Sequence, residues 1–167
     1  MSLILDGSNG LTFPNSTTQA SAGVVLQVVQ GIYSTNTTIN TSTFTDTGLS
    51  LSITPKFSTS KVLVTINQQV RNAAANPSVL GCAIRLLRGS TNILSLSSEG
   101  GNYDSFEITA DNGGNVRLAG YISFCYLDSP ATTSSTTYKI QASTSTGGHA
   151  FQNSGAKSII TIMEIAG

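Results

Sequence analysis

The chain has 167 residues, a length that one domain can fill, and its eight Lys/Arg balance eight Asp/Glu to a formal net charge of zero. Only 10% of residues are charged, against roughly 25% in an average soluble domain; the four Lys and four Arg are scattered from Lys56 to Lys157, so the clustered cations that nucleic-acid binding requires are missing. The longest purely apolar runs are three or four residues, far short of the ~20 that a membrane-spanning helix needs. Polarity comes instead from 24 Ser, 22 Thr and 12 Asn. With 39% hydrophobic residues and no net charge the sequence is predicted to fold, and its wealth of Thr and Val with few helix formers predicts an all-β protein. Neutrality favours association, which suits a protein built to be assembled.

Residues 1–23 are rich in Gly, Ser, Thr and Asn and hold two apolar islands, Leu3-Ile4-Leu5 and Leu11-Thr12-Phe13. A segment of this kind has too little to bury by itself and is expected to be an extended docking arm, with Leu3, Ile4, Leu5, Leu11 and Phe13 as its contacts. Its start lacks the basic residues and the apolar core of a signal peptide, so export by that route is not expected.

From Val24 the pattern changes, and residues 24–167 are expected to form the head. Val24 to Gln30 is a β-rich run with Val24, Leu26 and Val28 on one face; Leu49 to Ile53 alternates and stops at Pro55. Lys61 to Val70 gives the clearest period of two, with Val62, Val64, Ile66 and Val70 inward and Lys61, Thr65, Asn67 and Gln69 outward. Further strands are predicted at Leu80–Leu86, from Ile93, at Val116–Leu127 with Ile122, Phe124 and Tyr126 on one side, at Tyr138–Ala142 and at Ser158–Met163. No convincing helix and no fixed-period repeat is visible. Eight to ten strands in this length predict a two-sheet antiparallel sandwich of the jelly-roll type. Its edges need protection, and sister subunits would supply it.

Catalytic and metal chemistry find little material. His149 is the sole histidine, in Gly147-Gly148-His149-Ala150-Phe151, and no nucleophile elbow accompanies it, so a turn or interface histidine is expected rather than a base. Cys82 and Cys125 lie 43 residues apart with no CxxC, which leaves buried free thiols or, less favoured, a disulfide between facing strands. Gly100-Gly101 and Gly113-Gly114 lack the Gly-Lys-Ser/Thr of a phosphate cradle. No catalytic residue, cofactor or metal is expected.

Glu99, Asp104, Glu107 and Asp111 nevertheless place half of the acidic residues within thirteen positions, together with Tyr103 and Phe106. A calcium site, a glycosidase pair or a sugar-binding loop with aromatic platforms would use such residues. A solvated loop around one short strand, with Phe106 and Ile108 inward, fits better, since the spacing matches no defined calcium loop. It is still the place to look for a ligand.

Several strings resemble bacteriophage fibre and virion-surface proteins, particularly those of aquatic phages: Gly10-Leu-Thr-Phe-Pro-Asn-Ser-Thr-Thr-Gln19, Val25-Leu-Gln-Val-Val-Gln30, Phe44-Thr-Asp-Thr-Gly-Leu-Ser-Leu-Ser-Ile-Thr-Pro55, Ser60-Lys-Val-Leu-Val64, Leu86-Leu-Arg-Gly-Ser-Thr91, Leu127-Asp-Ser-Pro130, Thr137-Tyr-Lys139 and Met163-Glu164. The resemblance implies a trimeric jelly-roll head, comparable to tumour-necrosis-factor or C1q heads, on an N-terminal attachment segment. It implies a virion location after assembly in the host cytoplasm, with sister copies and other capsid or tail proteins as partners. Between roles, a surface decoration, cement or short fibre protein is favoured over a tail-fibre tip that binds a host receptor or glycan, because no shaft separates arm from head. Nucleic-acid binding and membrane insertion are not expected.

Overall fold

A computed structural model describes residues 4–6, 10–12, 18–19, 24–72, 79–97, 105–109, 119–144 and 148–167. The protein is all-β. Three short strands come first, β1 (Ile4–Asp6), β2 (Gly10–Thr12) and β3 (Thr18–Gln19). They pair with one another as an antiparallel meander, Leu5 opposite Leu11 and Leu11 opposite Gln19, and form a sheet of their own.

The head follows as β4 (Val25–Tyr33), β5 (Thr37–Ile39), β6 (Thr45–Ile53), β7 (Lys61–Asn72), β8 (Val79–Arg88), β9 (Thr91–Ser95), β10 (Phe106–Thr109), β11 (Ala119–Asp128), β12 (Thr136–Thr144), β13 (His149–Phe151) and β14 (Ser158–Ile165). One sheet runs β4-β14-β7-β13-β5, with β11 on the other side of β7; the second runs β10-β8-β12-β6, with β9 also on β8. Every pairing is antiparallel, and neighbours distant in sequence, such as β6 and β12, give the crossed connections of a jelly roll. The sole helical element among the described residues is one 3-10 turn at Asn153–Gly155.

The apolar residues of period two close the sandwich. Val62, Val64, Ile66 and Val70 of β7, with Ile160 and Ile162 of β14, meet Leu49 and Ile53 of β6, Ile84 and Leu86 of β8, and Tyr138 and Ile140 of β12. All are buried, and each such side chain contributes about 1.5–3 kcal/mol relative to exposure.

Alternation in β7 is interrupted at Gln68, which faces the core. Thr47 donates to its Oε1 at 3.0 Å, and its Nε2 donates to Ser158 Oγ at 2.9 Å. Gln152 completes this buried cluster, its amide oxygen facing Gln68 Nε2 at 2.6 Å and Ser158 Oγ at 2.8 Å. The expected outward residue Gln69 is covered too, because the 3-10 turn lies over it and Asn153 N donates to its Oε1 at 2.9 Å.

The face of β4 that carries Val24 and Val28 is the exposed one, and its core-facing phase is Val29 and Tyr33, with Gln27 reaching inward to Glu164. The run is apolar in both phases, so period alone could not choose between them. His149 is a buried strand residue of β13, held between β5 and β7, not a turn or interface residue.

Candidate functional site

The two outer surfaces of the sandwich differ in chemistry. On the β6-β12-β8 side the side chains are polar and linked: Lys139 Nζ pairs with Asp46 Oδ2 at 2.9 Å, Gln141 Nε2 donates to Asp46 Oδ1 at 2.6 Å, and Arg85 Nη2 donates to Gln141 Oε1 at 2.6 Å. The Arg85 guanidinium also lies 4.1 Å from the centre of the Phe44 ring. Ser52 and Thr137 share a hydroxyl hydrogen bond at 2.7 Å. These groups satisfy one another and tolerate water.

The outer surface of β4, β14, β7 and β11 is built otherwise. Register places Val28, Met163, Leu63 and Leu127 in one row across all four strands. The next row is Gln30, Thr161, Thr65 and Cys125, and the one after it Ile32, Ile159, Asn67 and Ser123. Val28 is 55% exposed, Ile32 56%, Tyr121 53% and Leu127 54%. Among the described residues the charged side chains that β4, β14, β7 and β11 turn outward are Lys61 and Arg71, at opposite ends of β7, and Lys157 stands exposed one residue before β14.

Both ends of the head meet at one rim of this surface. Ala166 N donates to Val24 O at 2.9 Å, and Val24, Leu26, Phe57, Thr59, Ala166 and Gly167 line an open cavity of about 420 Å³. Its wall, the loop after β6, is pinned from below by Glu164. That buried carboxylate accepts from Lys56 N at 2.7 Å, Phe57 N at 3.4 Å and Ser60 Oγ at 2.7 Å, and its other oxygen accepts from Gln27 Nε2 at 2.6 Å. Burial pushes the Glu164 carboxyl up, but the hydrogen bonds from Ser60, Gln27, Lys56 and Phe57 outweigh it and hold the group below its ordinary range.

A second polar group lies at the same end of the core, since register puts Asp128 and Glu164 on either side of Val62. Arg88 Nη1 reaches both oxygens of Asp128 at 3.0 Å, and the buried Tyr138 hydroxyl donates to Asp128 Oδ2 at 2.7 Å. Burial, with the Asp128 carboxylate next, pushes the Tyr138 phenol up, which keeps it a donor. Burial also holds His149 down to about 4, so it is neutral at pH 7.

Of the expected docking residues, Ile4 and Leu5 lie in β1 and Leu11 in β2, brought together by the β1–β2 register; Leu3 and Phe13 lie outside the described residues. Of the acidic segment, Phe106 and Glu107 fall in β10, opposite Cys82 and Gly81 of β8, as the predicted short strand; Glu99, Tyr103, Asp104 and Asp111 lie outside the described residues. Both cysteines are free thiols. Cys82 is buried, and burial pushes it up to about 12. Cys125 is exposed, contrary to the expectation of two buried thiols, because its strand phase points away from the core, toward the side where Leu127 also lies. Among the described residues no three His, Cys, Asp or Glu side chains are grouped to hold a metal ion.

The apolar outer rows are what sequence reasoning missed. Their signal was present in Val28 and Ile32 of β4 and Ile159 and Met163 of β14, strands that are apolar in both phases, and in the lone outward leucines Leu63 of β7 and Leu127 of β11.

No family model matches the chain. No curated protein matches it. Among solved structures it is similar to a chain of T=1 particles derived from infectious bursal virus, at 14% identity and a TM-score of 0.40, over 99% of this chain and 44% of that one. It is also similar to the VP2 subviral particle of infectious bursal disease virus, at 12% identity and a TM-score of 0.41, over 90% of this chain and 41% of that one. The chain thus spans less than half the length of the viral chains it matches.

Proposed function

We propose that this protein is a non-enzymatic structural protein of a phage virion, a homotrimer that decorates or cements the virion surface or forms a short fibre, docked to capsid or tail proteins through residues 1–23. The observation that carries the reading is the N-terminal sheet. Its strands of three, three and two residues form a sheet separate from the sandwich. So small a sheet has too little surface to be stable alone, and a protein surface beneath it supplies the missing burial. The resemblance of the flanking strings to virion-surface proteins agrees with that role.

Deleting residues 1–20 is expected to abolish incorporation into particles while circular dichroism shows the head still folded. Particles that keep the truncated chain at full occupancy overturn the docking role.

The receptor-binding alternative draws on one position. β10, which carries Phe106 and Glu107, is an outer strand of its sheet among the described residues, a position where a host glycan or receptor could be met. Purified heads should then compete with phage for adsorption; unchanged adsorption at saturating protein rejects that alternative.

A further inference from the structure

We infer that the outer surface of β4, β14, β7 and β11 is the contact between copies of this chain, with the row Val28, Met163, Leu63 and Leu127 as its most apolar part. The inference rests on the self-assembly part of the proposed function and names the surface that performs it.

Three observations select both the surface and its occupant. First, of the seven large hydrophobic side chains that stand out most from the described residues, Val28, Ile32, Tyr121 and Leu127 belong to this one surface. They are set in cross-strand rows with the half-buried Leu63, Ile159 and Met163. Scattered apolar residues are ordinary on a soluble protein, whereas a contiguous set of this size marks an interaction surface.

Second, the charge pattern favours a like surface as the occupant. The three rows offer only apolar, hydroxyl, amide and thiol groups, and two polar pairs are already joined across strands, Gln30 to Thr161 at 3.1 Å and Ser123 to Asn67 at 2.9 Å. Gathered around a three-fold axis, these rows face their counterparts on the neighbouring copies without stranding a charge. The opposite surface, with Asp46, Lys139 and Arg85, would have to bury ions to cover it.

Third, the size fits. Four strands about 4.8 Å apart and some ten residues long present on the order of 600 Å² of sheet, close to the ~800 Å² that each partner gives to a stable interface. Among the described residues both flanking strands, β4 and β11, are also sheet edges, and neighbouring copies would cover them.

Cys125 ends the second of these rows, on the flanking strand β11, and makes the contact measurable without a variant, since the other thiol, Cys82, is buried. In the full-length protein at micromolar concentration, a maleimide is expected to modify Cys125 about tenfold more slowly than in the dissociated chain, as burial in an interface blocks a thiol. Light scattering on the same sample should give the mass of three chains. Val28→Glu and Leu127→Glu should each lower that mass to one chain and restore fast modification, and Thr137→Glu, on the opposite surface, should do neither.

A trimer whose Cys125 stays fully reactive, or one that survives both Glu variants, overturns this surface and leaves the trimer standing. A monomeric wild-type protein overturns both, whatever its incorporation into particles. If deleting residues 1–20 exposes Cys125 without changing the mass, the chain's own N-terminal segment is the cover and the inference fails. Should either Glu variant misfold, the wild-type modification rate decides alone.

Discussion

Glu164 sits on the penultimate position of the last strand, at 0% exposure, and gathers four donors from β4 and from the loop between β6 and β7. Glu164→Gln keeps the shape but turns an amide NH2 toward groups that are themselves donors, so it should cost about 2 kcal/mol; urea unfolding at pH 7 measures it. Tyr138→Phe removes one hydrogen bond to a carboxylate that Arg88 still holds and should cost about 1–2 kcal/mol. The pH dependence separates two groups. His149 has its folded value near 4, below the ordinary 6.5. The unfolded chain therefore binds more protons between those values, and stability falls as pH drops through that window, by on the order of 3 kcal/mol. His149→Gln should flatten that slope. Glu164 is also depressed, so its contribution is present above the ordinary 4.5 and disappears only below it, in more acidic solution. A denaturation series from pH 7 to pH 3 should show the two losses in that order.

Among the elements, β6 holds the least ordinary backbone. Ser50 pairs with Lys139 and Asp46 with Gln141, so three residues of β6 bulge opposite the single Ile140. Gly48 lies in that bulge at φ +91°, with the Tyr33 ring of the facing sheet directly above it. A Cβ there would strike that ring and adopt a disfavoured backbone, and Gly48→Ala should destabilise the head by about 2–4 kcal/mol in thermal or urea unfolding. Nothing in Thr45-Asp-Thr-Gly-Leu49 announces the bulge, because a glycine in a strand reads equally as a weak point or a turn. By contrast β7 was legible in most of its length. From Lys61 to Asn67 its inward residues are apolar and its outward ones mostly polar, so only one phase buries hydrocarbon. β4 was legible as a strand but not in phase, since Val, Leu and Ile occupy both of its sides. The site shares that difficulty: an apolar outer row looks in sequence like more core.

At the scale of the whole molecule, the sandwich follows from composition and alternation, while its sidedness does not. Which sheet is charged outside and which is bare depends on register across strands up to 137 residues apart, as in Gln27 and Glu164. The separate N-terminal sheet was legible as a segment with too little to bury, and its internal pairing was not, because runs of two or three strand residues carry almost no periodic signal. Neutrality, visible from the first count of residues, gains a location here: one broad surface holds nearly no charge, while the other ties its charges together.

The clamp around Glu164 has a mechanical side. If residues 1–23 hold the protein to a larger body, any pull on the head passes through Val24. There the chain is fastened by the Ala166 N to Val24 O bond, by Lys56 Nζ on Leu26 O at 3.2 Å, and by the Gln27 to Glu164 bond one residue further in. A bulge at Leu26 shifts the β4–β14 register at this same point. Tension therefore meets side-chain and loop anchors before it reaches the ladder of β4, and the strand is spared being unzipped from its end.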